Sequence, residues 1–421
     1  MSTPWKQRYA QRMKQMGSSM IRELLKLTQQ PDIISFAGGL PAPELFPVAE
    51  FDAAASRILA EHGRQALQYS ATEGYLPLRQ FIVEKMEQYG IQATPDNVLI
   101  TSGSQQALDL IGKMLLNPGD MILTERPTYL GALQAWRAYQ AQFTTVPIDE
   151  RGLCTYELGE ALCTGPKFMY ILPNFQNPSG VTLPLSRRQS LIHIADQYGI
   201  PIIEDDPYGE LRFEGEHLQP LIVLDAEELR QRPHSPKAHG YLRGNVIYLS
   251  TFSKTLAPGL RLGWIVAPEE VIQRCVMAKQ GMDLHSSSFV QMMVYEVVQN
   301  GFLQQHVKHI RQVYRERRDM MLQAMETYFP SGVSWTRPKG GLFLWVTLPE
   351  EMDSAILLQK AIEHKVAFVP GSAFYPDNGG QNSFRLNFSN ARPEQIETGI
   401  QRLGRMLAAE IEKPEMELAL A

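Results

Sequence analysis

Residues 248–264 read YLSTFSKTLAPGLRLGW. An apolar run that reads as a buried strand ends beside Thr251 and Ser253. Lys254 follows directly, and Arg261 comes seven residues later. Hydroxyls and an arginine around a strand end make a cradle for phosphate. A lysine held there is partly desolvated and close to positive charge. Both effects lower its pKa and free the amine to attack a carbonyl. A surface lysine after a strand has the same local sequence, so the motif takes its meaning from its surroundings.

Outward from this stretch, β-branched runs at 98–101, 121–124, 143–147, 168–172, 201–204, 246–250 and 262–266 alternate with amphipathic patterns such as 104–116 and 186–198. Such strands between helices predict βαβ units and a mostly parallel seven-stranded sheet sandwiched by helices. Ligands of these sheets bind beyond the carboxyl ends of the strands. Three further loops follow strand ends. Residues 201–209, PIIEDDPYG, put Glu204, Asp205 and Asp206 at a strand terminus, where a buried acid needs a partner. Periodicity leaves the choice among the three open. Residues 172–180, LPNFQNPSG, form a turn from which an Asn side chain can face a phenolic oxygen. Residues 101–107, TSGSQQA, form a glycine turn entering a helix, whose free N–H groups suit phosphate.

After Ala267 the texture changes to long helical patterns from about 291 to 329, with basic residues Arg311, Arg315, Arg317 and Arg318 read as a solvated helix face. Strand patterns at 333–336, 342–348, 366–370 and 384–388 flank a helix at 353–364. They predict a smaller α+β domain closed by a helix over 393–411, with a frayed tail from 413. The expected division is residues 1–45 as an N-terminal arm joining the small domain, 46–300 as the large domain and 301–421 as the small one. Residues 230–243 read as a surface loop. Trp5, Tyr9, Met13, Met16 and Met20 fall at helical spacing, predicting an amphipathic arm that packs against something.

The 421-residue chain has a formal net charge of −5, which supplies no basic footprint for nucleic acid. Cys154, Cys163 and Cys275 form no disulfide framework and no zinc-spaced cluster. They read as small buried hydrophobes in a reducing compartment. No apolar run approaches the roughly 18 residues of a membrane span, and the start lacks a signal-peptide core. The expectation is a cytoplasmic protein without metal, membrane or nucleic-acid partners.

A nucleophilic lysine, an acid, an amide and a phosphate cradle on one sheet edge together fit pyridoxal 5′-phosphate. The chain resembles the fold-type I aminotransferases of class I/II, in the branch of 2-aminoadipate, kynurenine and aromatic aminotransferases. The likeness runs from SSMIRELLKL at Ser18 to SFRLNFS ending at Ser389. It implies that Lys254 holds the cofactor covalently, Asp205 pairs with its ring nitrogen, and Tyr208 and Asn177 meet its phenolic oxygen. Ser104, Gln105, Thr251, Ser253 and Arg261 would hold its phosphate, and Tyr129 of RPTY would stack on its ring. Tyr69 of LQYSATEG would reach the phosphate of a neighbouring subunit, implying a homodimer with shared active sites. Arg385 would clamp the substrate α-carboxylate, with Gly39 of FAGGLP closing over it and Asn177 nearby. Arg22, with Ser19 beside it, would meet a distal carboxylate of the amino acid substrate, with a 2-oxo acid as acceptor.

Two other classes share these motifs. One is a regulator with an aminotransferase-like effector domain behind a winged helix, and the roughly 35 residues ahead of FAGGLP are too few for that module. The other is a PLP-dependent lyase or decarboxylase, against which the Arg385 clamp and the GGLP loop favour transamination.

Overall fold

The computed structural model describes residues 3–14, 16, 32–230 and 242–419. Fourteen strands are described in chain order: β1 (Ile34–Ser35), β2 (Val98–Thr101), β3 (Met121–Arg126), β4 (Gln142–Asp149), β5 (Gly152–Leu153), β6 (Phe168–Ile171), β7 (Ile202–Asp205), β8 (Val246–Thr251), β9 (Gly263–Val266), β10 (Ser334–Trp335), β11 (Phe343–Thr347), β12 (Val366–Ala367), β13 (Val369–Pro370) and β14 (Ser383–Asn387).

The large sheet has the order β2-β9-β8-β7-β6-β3-β4-β5. Its inner pairs β4–β3, β3–β6, β6–β7 and β7–β8 are parallel. Strands β2, β6, β7, β8 and β9 are buried along their whole length, which is why they read as continuous apolar runs. All seven strands expected from the sequence are present. The eighth, β5, folds back antiparallel on β4, pairing Leu153 with Ile148, and its two residues are too few to show periodicity. Strand β9 runs antiparallel to both β8 and β2, because the short segment after β8 holds no crossover helix.

Each face of the sheet carries its own core. One gathers Leu78, Ile82, Leu191, Val246 and Trp264. The other gathers Leu108, Ile111, Trp136, Phe168 and Tyr170. Trp136 has no exposed surface, donates its indole N–H to Leu108 O at 2.9 Å, and meets Tyr170 edge-on at 5.0 Å. Truncating such a residue costs about 3–5 kcal/mol.

The smaller sheet is β10-β11-β14-β13, all antiparallel. Strand β1 pairs with β12, so Ile33, Phe36 and Ala37 join the core of Phe343, Phe368, Phe384 and Ile396. The single strand expected over 366–370 is two short ones serving different sheets. Asp353 caps the helix Ser354–Glu363 by accepting from Ala355 N–H at 2.7 Å.

Several expectations are corrected. The pattern over 291–329 is two helices, Ser288–Val298 and Phe302–Tyr328, parted where Asn300 takes a positive φ. Arg317 and Arg318 are buried rather than solvated, since that helix packs them against other elements. Arg317 reaches Glu44 and the Ser389 carbonyl, and Arg318 reaches Glu214 and the Pro338 carbonyl at 2.7 Å. The last helix continues to Ala419, past both Ile411 and the start of the tail expected to fray. Cys154 and Cys275 are buried, but Cys163 is exposed at a helix end. Among the described residues the arm forms Trp5–Arg8 and a 3₁₀ turn, Gln11–Lys14, and leaves Trp5, Tyr9, Met13 and Met16 exposed within the chain. Met20 and most of the 230–243 loop lie outside the described residues.

Candidate active site

The loops following Thr101, Ile171, Asp205 and Thr251 lie on one edge of the large sheet, as the strand directions require. Lys254 is half-buried there, and its Nζ donates to Gly39 O at 2.8 Å. Burial first, then the charges of Arg385 and Arg261, push the amine down to about 8. Arg385 on β14 is 1% exposed. It donates from its two terminal nitrogens to Asn177 Oδ1 and Ala37 O, each at 2.7 Å. Its guanidinium lies over Phe343 at 4.2 Å and Phe374 at 4.9 Å. Asn177 lies 3.5 Å through Nδ2 from the Tyr208 hydroxyl. The backbone at Ala37 and Gly39 thus receives Arg385 and Lys254, and Arg385 continues through Asn177 to Tyr208.

The structure separates the three acids that periodicity left open. Glu204 turns to the N-terminus of the helix Leu221–Arg230, accepting from Leu221 and Ile222 N–H at 2.8 and 2.9 Å. Asp206 accepts from Asn174 at 3.0 Å and lies 3.3 Å from the Tyr248 hydroxyl. Asp205 points the other way, where its Oδ2 accepts from the Tyr170 hydroxyl at 2.6 Å. Its Oδ1 is buried without a partner among the described residues. Burial raises Asp205 to about 7. Tyr129 and Tyr208 are raised chiefly by burial, and both sense the charges of Asp205 and Arg385.

The turn before the helix Ser104–Leu115 has the geometry of an anion cradle. Gly103 has φ +81, a conformation that favours glycine. A Cβ there would stand 2.5 Å from an Arg261 terminal nitrogen, so the guanidinium crosses directly over the turn. The first helical N–H groups have no partners within the helix. Ser104 Oγ is buried without a partner among the described residues. Thr251 Oγ1 lies 2.9 Å from Ser253 Oγ and 2.8 Å from Leu262 O, so these hydroxyls already hold the Lys254 loop together. The Gln105 side chain donates to Gly131 O at 2.9 Å. An unpaired acid, an unpaired hydroxyl and a glycine cradle under an arginine fit a phosphorylated pyridine cofactor.

One expected residue, Tyr69, is not brought into this cluster. Tyr69 is 79% exposed and meets His285 edge-on. Arg22 and Ser19 lie outside the described residues. Sequence reasoning missed Tyr170, Phe343 and Phe374. Tyr170 sits in an apolar strand run, and the two phenylalanines lie far along the chain, Phe343 on β11 and Phe374 in the 3₁₀ turn Gly371–Phe374.

The model of the family "Aminotransferase class I and II" matches residues 33–403. The chain belongs to that family. This aminotransferase is 45% identical over 405 residues to aromatic-amino-acid aminotransferase 1 of Thermococcus litoralis, covering 94% of this chain and 93% of the relative. It is 46% identical over 404 residues to a 2-aminoadipate transaminase of Thermus thermophilus, covering 96% and 97%. The crystal structure of an α-aminoadipate aminotransferase from Thermus thermophilus, complexed with N-(5′-phosphopyridoxyl)-L-leucine, matches with a TM-score of 0.88 at 44% identity, over 97% of this chain and 99% of that one. The aminotransferase is a pyridoxal 5′-phosphate enzyme that transfers amino groups between amino acids and 2-oxo acids.

Proposed function

We propose that the aminotransferase acts on 2-aminoadipate, glutamate or aromatic amino acids, with a 2-oxo acid such as 2-oxoglutarate as acceptor. The carrying observation is the half-buried Lys254 amine, lowered to about 8 and bonded to Gly39 O, two residues from the Ala37 carbonyl that meets Arg385, which in turn bonds Asn177 beside Tyr208. The names of the relatives support the two substrate classes.

Pyridoxal phosphate, when bound, supplies an aldehyde that takes up amino groups and a ring that accepts electrons from a breaking Cα bond. Lys254 holds it covalently. Its amine, lowered to about 8, would be the base that moves the proton at Cα. Asp205 Oδ1, buried without a described partner, would keep a proton on the ring nitrogen, while Tyr170 fixes the other carboxylate oxygen. Tyr208 and Asn177 would hold the phenolic oxygen, and Tyr129 would stack on the ring. Ser104, Gln105, Thr251, Ser253 and Arg261 hold the phosphate. For Gln105 the backbone N–H serves, since its side chain is engaged with Gly131. Arg385 clamps the α-carboxylate beneath the Gly39 loop, and its aromatic neighbours exclude water from that pair. Arg22 and Ser19 read the side chain.

We further infer a homodimer in which Tyr69 completes the neighbouring site. Its 79% exposure beside exposed Leu67 and Leu284 supports this. We read residues 46–300 and 301–421, with 1–45 joining the latter, as the two domains. No described helix is long and apolar enough to cross a membrane, and we place the enzyme in the cytoplasm. The test is a panel of amino donors with 2-oxoglutarate. Turnover of 2-aminoadipate and aromatic donors is expected, with Arg22→Ala selectively losing 2-aminoadipate and Lys254→Ala losing all transfer. Equal 2-aminoadipate rates for wild type and Arg22→Ala would refute the role of Arg22.

A further inference from the structure

Behind the glycine turn lies a cluster that the reaction does not use. Lys279, near the end of the helix Glu269–Gln280, has no exposed side-chain surface. Its Nζ is 2.8 Å from Gln106 Oε1, 2.8 and 2.9 Å from the two Asp283 oxygens, and 3.1 Å from Ser286 Oγ. Gln106 Oε1 also accepts from Ser102 N–H at 2.8 Å, and its Nε2 donates to Asp283 Oδ2 at 2.7 Å. Ser102 Oγ donates to that same oxygen at 2.9 Å and lies 3.0 Å from Ser286 Oγ. Five side chains from two distant stretches thus close into one network around the ammonium.

An enclosed lysine is costly unless every donor is met, and a packing role alone would be served by an apolar residue. Here the ammonium orients Gln106, and Gln106 holds the backbone N–H of Ser102. Ser102 immediately precedes Gly103 and Ser104, the turn under the Arg261 guanidinium. Both residues flanking the turn are therefore fixed from behind, while its own hydroxyl is left unpaired on the other side.

We propose that Lys279, with Asp283 and Ser286, is a positioning residue for the phosphate of the cofactor, setting the Ser102–Gln106 turn without touching the ligand. This rests on the reading of that turn as the phosphate cradle. Because the cluster acts through the cradle, it matters for a cofactor that carries a phosphate and not for one that lacks it.

The experiment follows cofactor loss from the full-length chain loaded with PLP or with pyridoxal, diluted into an aldehyde trap. For Lys279→Met, PLP loss is expected to accelerate on the order of tenfold, the scale seen when a second tier of bonds behind a ligand set is removed. Pyridoxal loss should change less than about twofold. Ser286→Ala and Asp283→Asn, which remove less, should show the same selectivity to a smaller degree, and they carry the test if Lys279→Met does not fold. PLP loss at the wild-type rate in all three overturns the proposal. Equal acceleration for both cofactors also overturns it, since that marks general loosening. Wild-type protein that retains PLP no better than pyridoxal would instead refute the cradle reading itself.

Discussion

Tyr170→Phe removes one oxygen from a fully buried position and leaves the rest of the ring in place against Trp136. The lost bond is the 2.6 Å donation to Asp205 Oδ2. A hydrogen bond to a charged group is worth about 1.5–3 kcal/mol. In the cofactor-free protein Asp205 escapes much of that loss by keeping a proton, since burial already raises it to about 7. With cofactor bound it must stay ionised to hold the proton on the ring nitrogen. The cost therefore falls on the bound state, and PLP affinity should drop about 10- to 150-fold at neutral pH. The sign with pH follows from the same linkage. Below about 7 the free protein must release a proton from Asp205 to bind, so affinity falls as pH falls. Removing the Tyr170 donor raises Asp205 further and moves that break to higher pH. Titrating wild type and variant with PLP in the same buffers cancels the ionisation of the cofactor itself. Unchanged affinity, or a break that moves to lower pH, would refute the assignment of Asp205 as a carboxylate held for the ring.

Asp205→Asn should abolish PLP retention far more than Glu204→Gln, since Glu204 faces backbone N–H groups on the opposite side of β7; equal losses in cofactor titration would overturn the choice of acid. Arg385→Lys keeps the charge but loses the planar fork, so kcat/KM should fall about 10- to 100-fold, chiefly through KM, in steady-state assays; an unchanged KM removes the clamp role. Glu125 is buried, accepts from Leu172 N–H at 2.9 Å, and is raised by burial to about 8. Between its ordinary value of 4.5 and about 8 the native state holds a proton that the unfolded chain has released, so this group lowers stability as pH rises through that window. Glu125→Gln should remove that slope, its thermal midpoint gaining on wild type from pH 5 to 8; parallel curves would show that Glu125 is ionised in the fold.

The strands of the large sheet were legible because buried parallel strands leave unbroken apolar runs between helices. The loops at their ends carried the chemistry, as the strand directions demand. The choice of Asp205 was not legible from alternation. Alternation separates it from Glu204 and Asp206, but which side holds the site depends on the helix Leu221–Arg230 capping Glu204. Tyr170 read as apolar filler in its strand, since nothing local shows that its hydroxyl meets an acid on β7. The same holds for Arg317, Arg318 and Lys279, which look like solvated helix charges until the opposing elements are placed. Charge on a helix is a surface signal only when nothing packs over it, and that is a tertiary fact.

The reversal of β9 ties these parts together. Gly263 pairs with Thr101 of β2 on one side and Thr251 of β8 on the other. The glycine turn is thereby seated beside the lysine loop, although about 150 residues separate them in the chain. A Cβ at Gly263 would stand 2.9 Å from Ser104 N and 3.0 Å from Ser250 O, both backbone atoms, so a side chain there would drive the two loops apart. Two glycines, at 103 and 263, thus set the distance between cradle and amine. Arg261, held in the left-handed region at φ +52, spans that gap and also lowers Lys254. The cation proposed to hold the phosphate is therefore one of the cations that lower the amine. Cofactor capture and base strength are a single electrostatic unit built on the antiparallel strand.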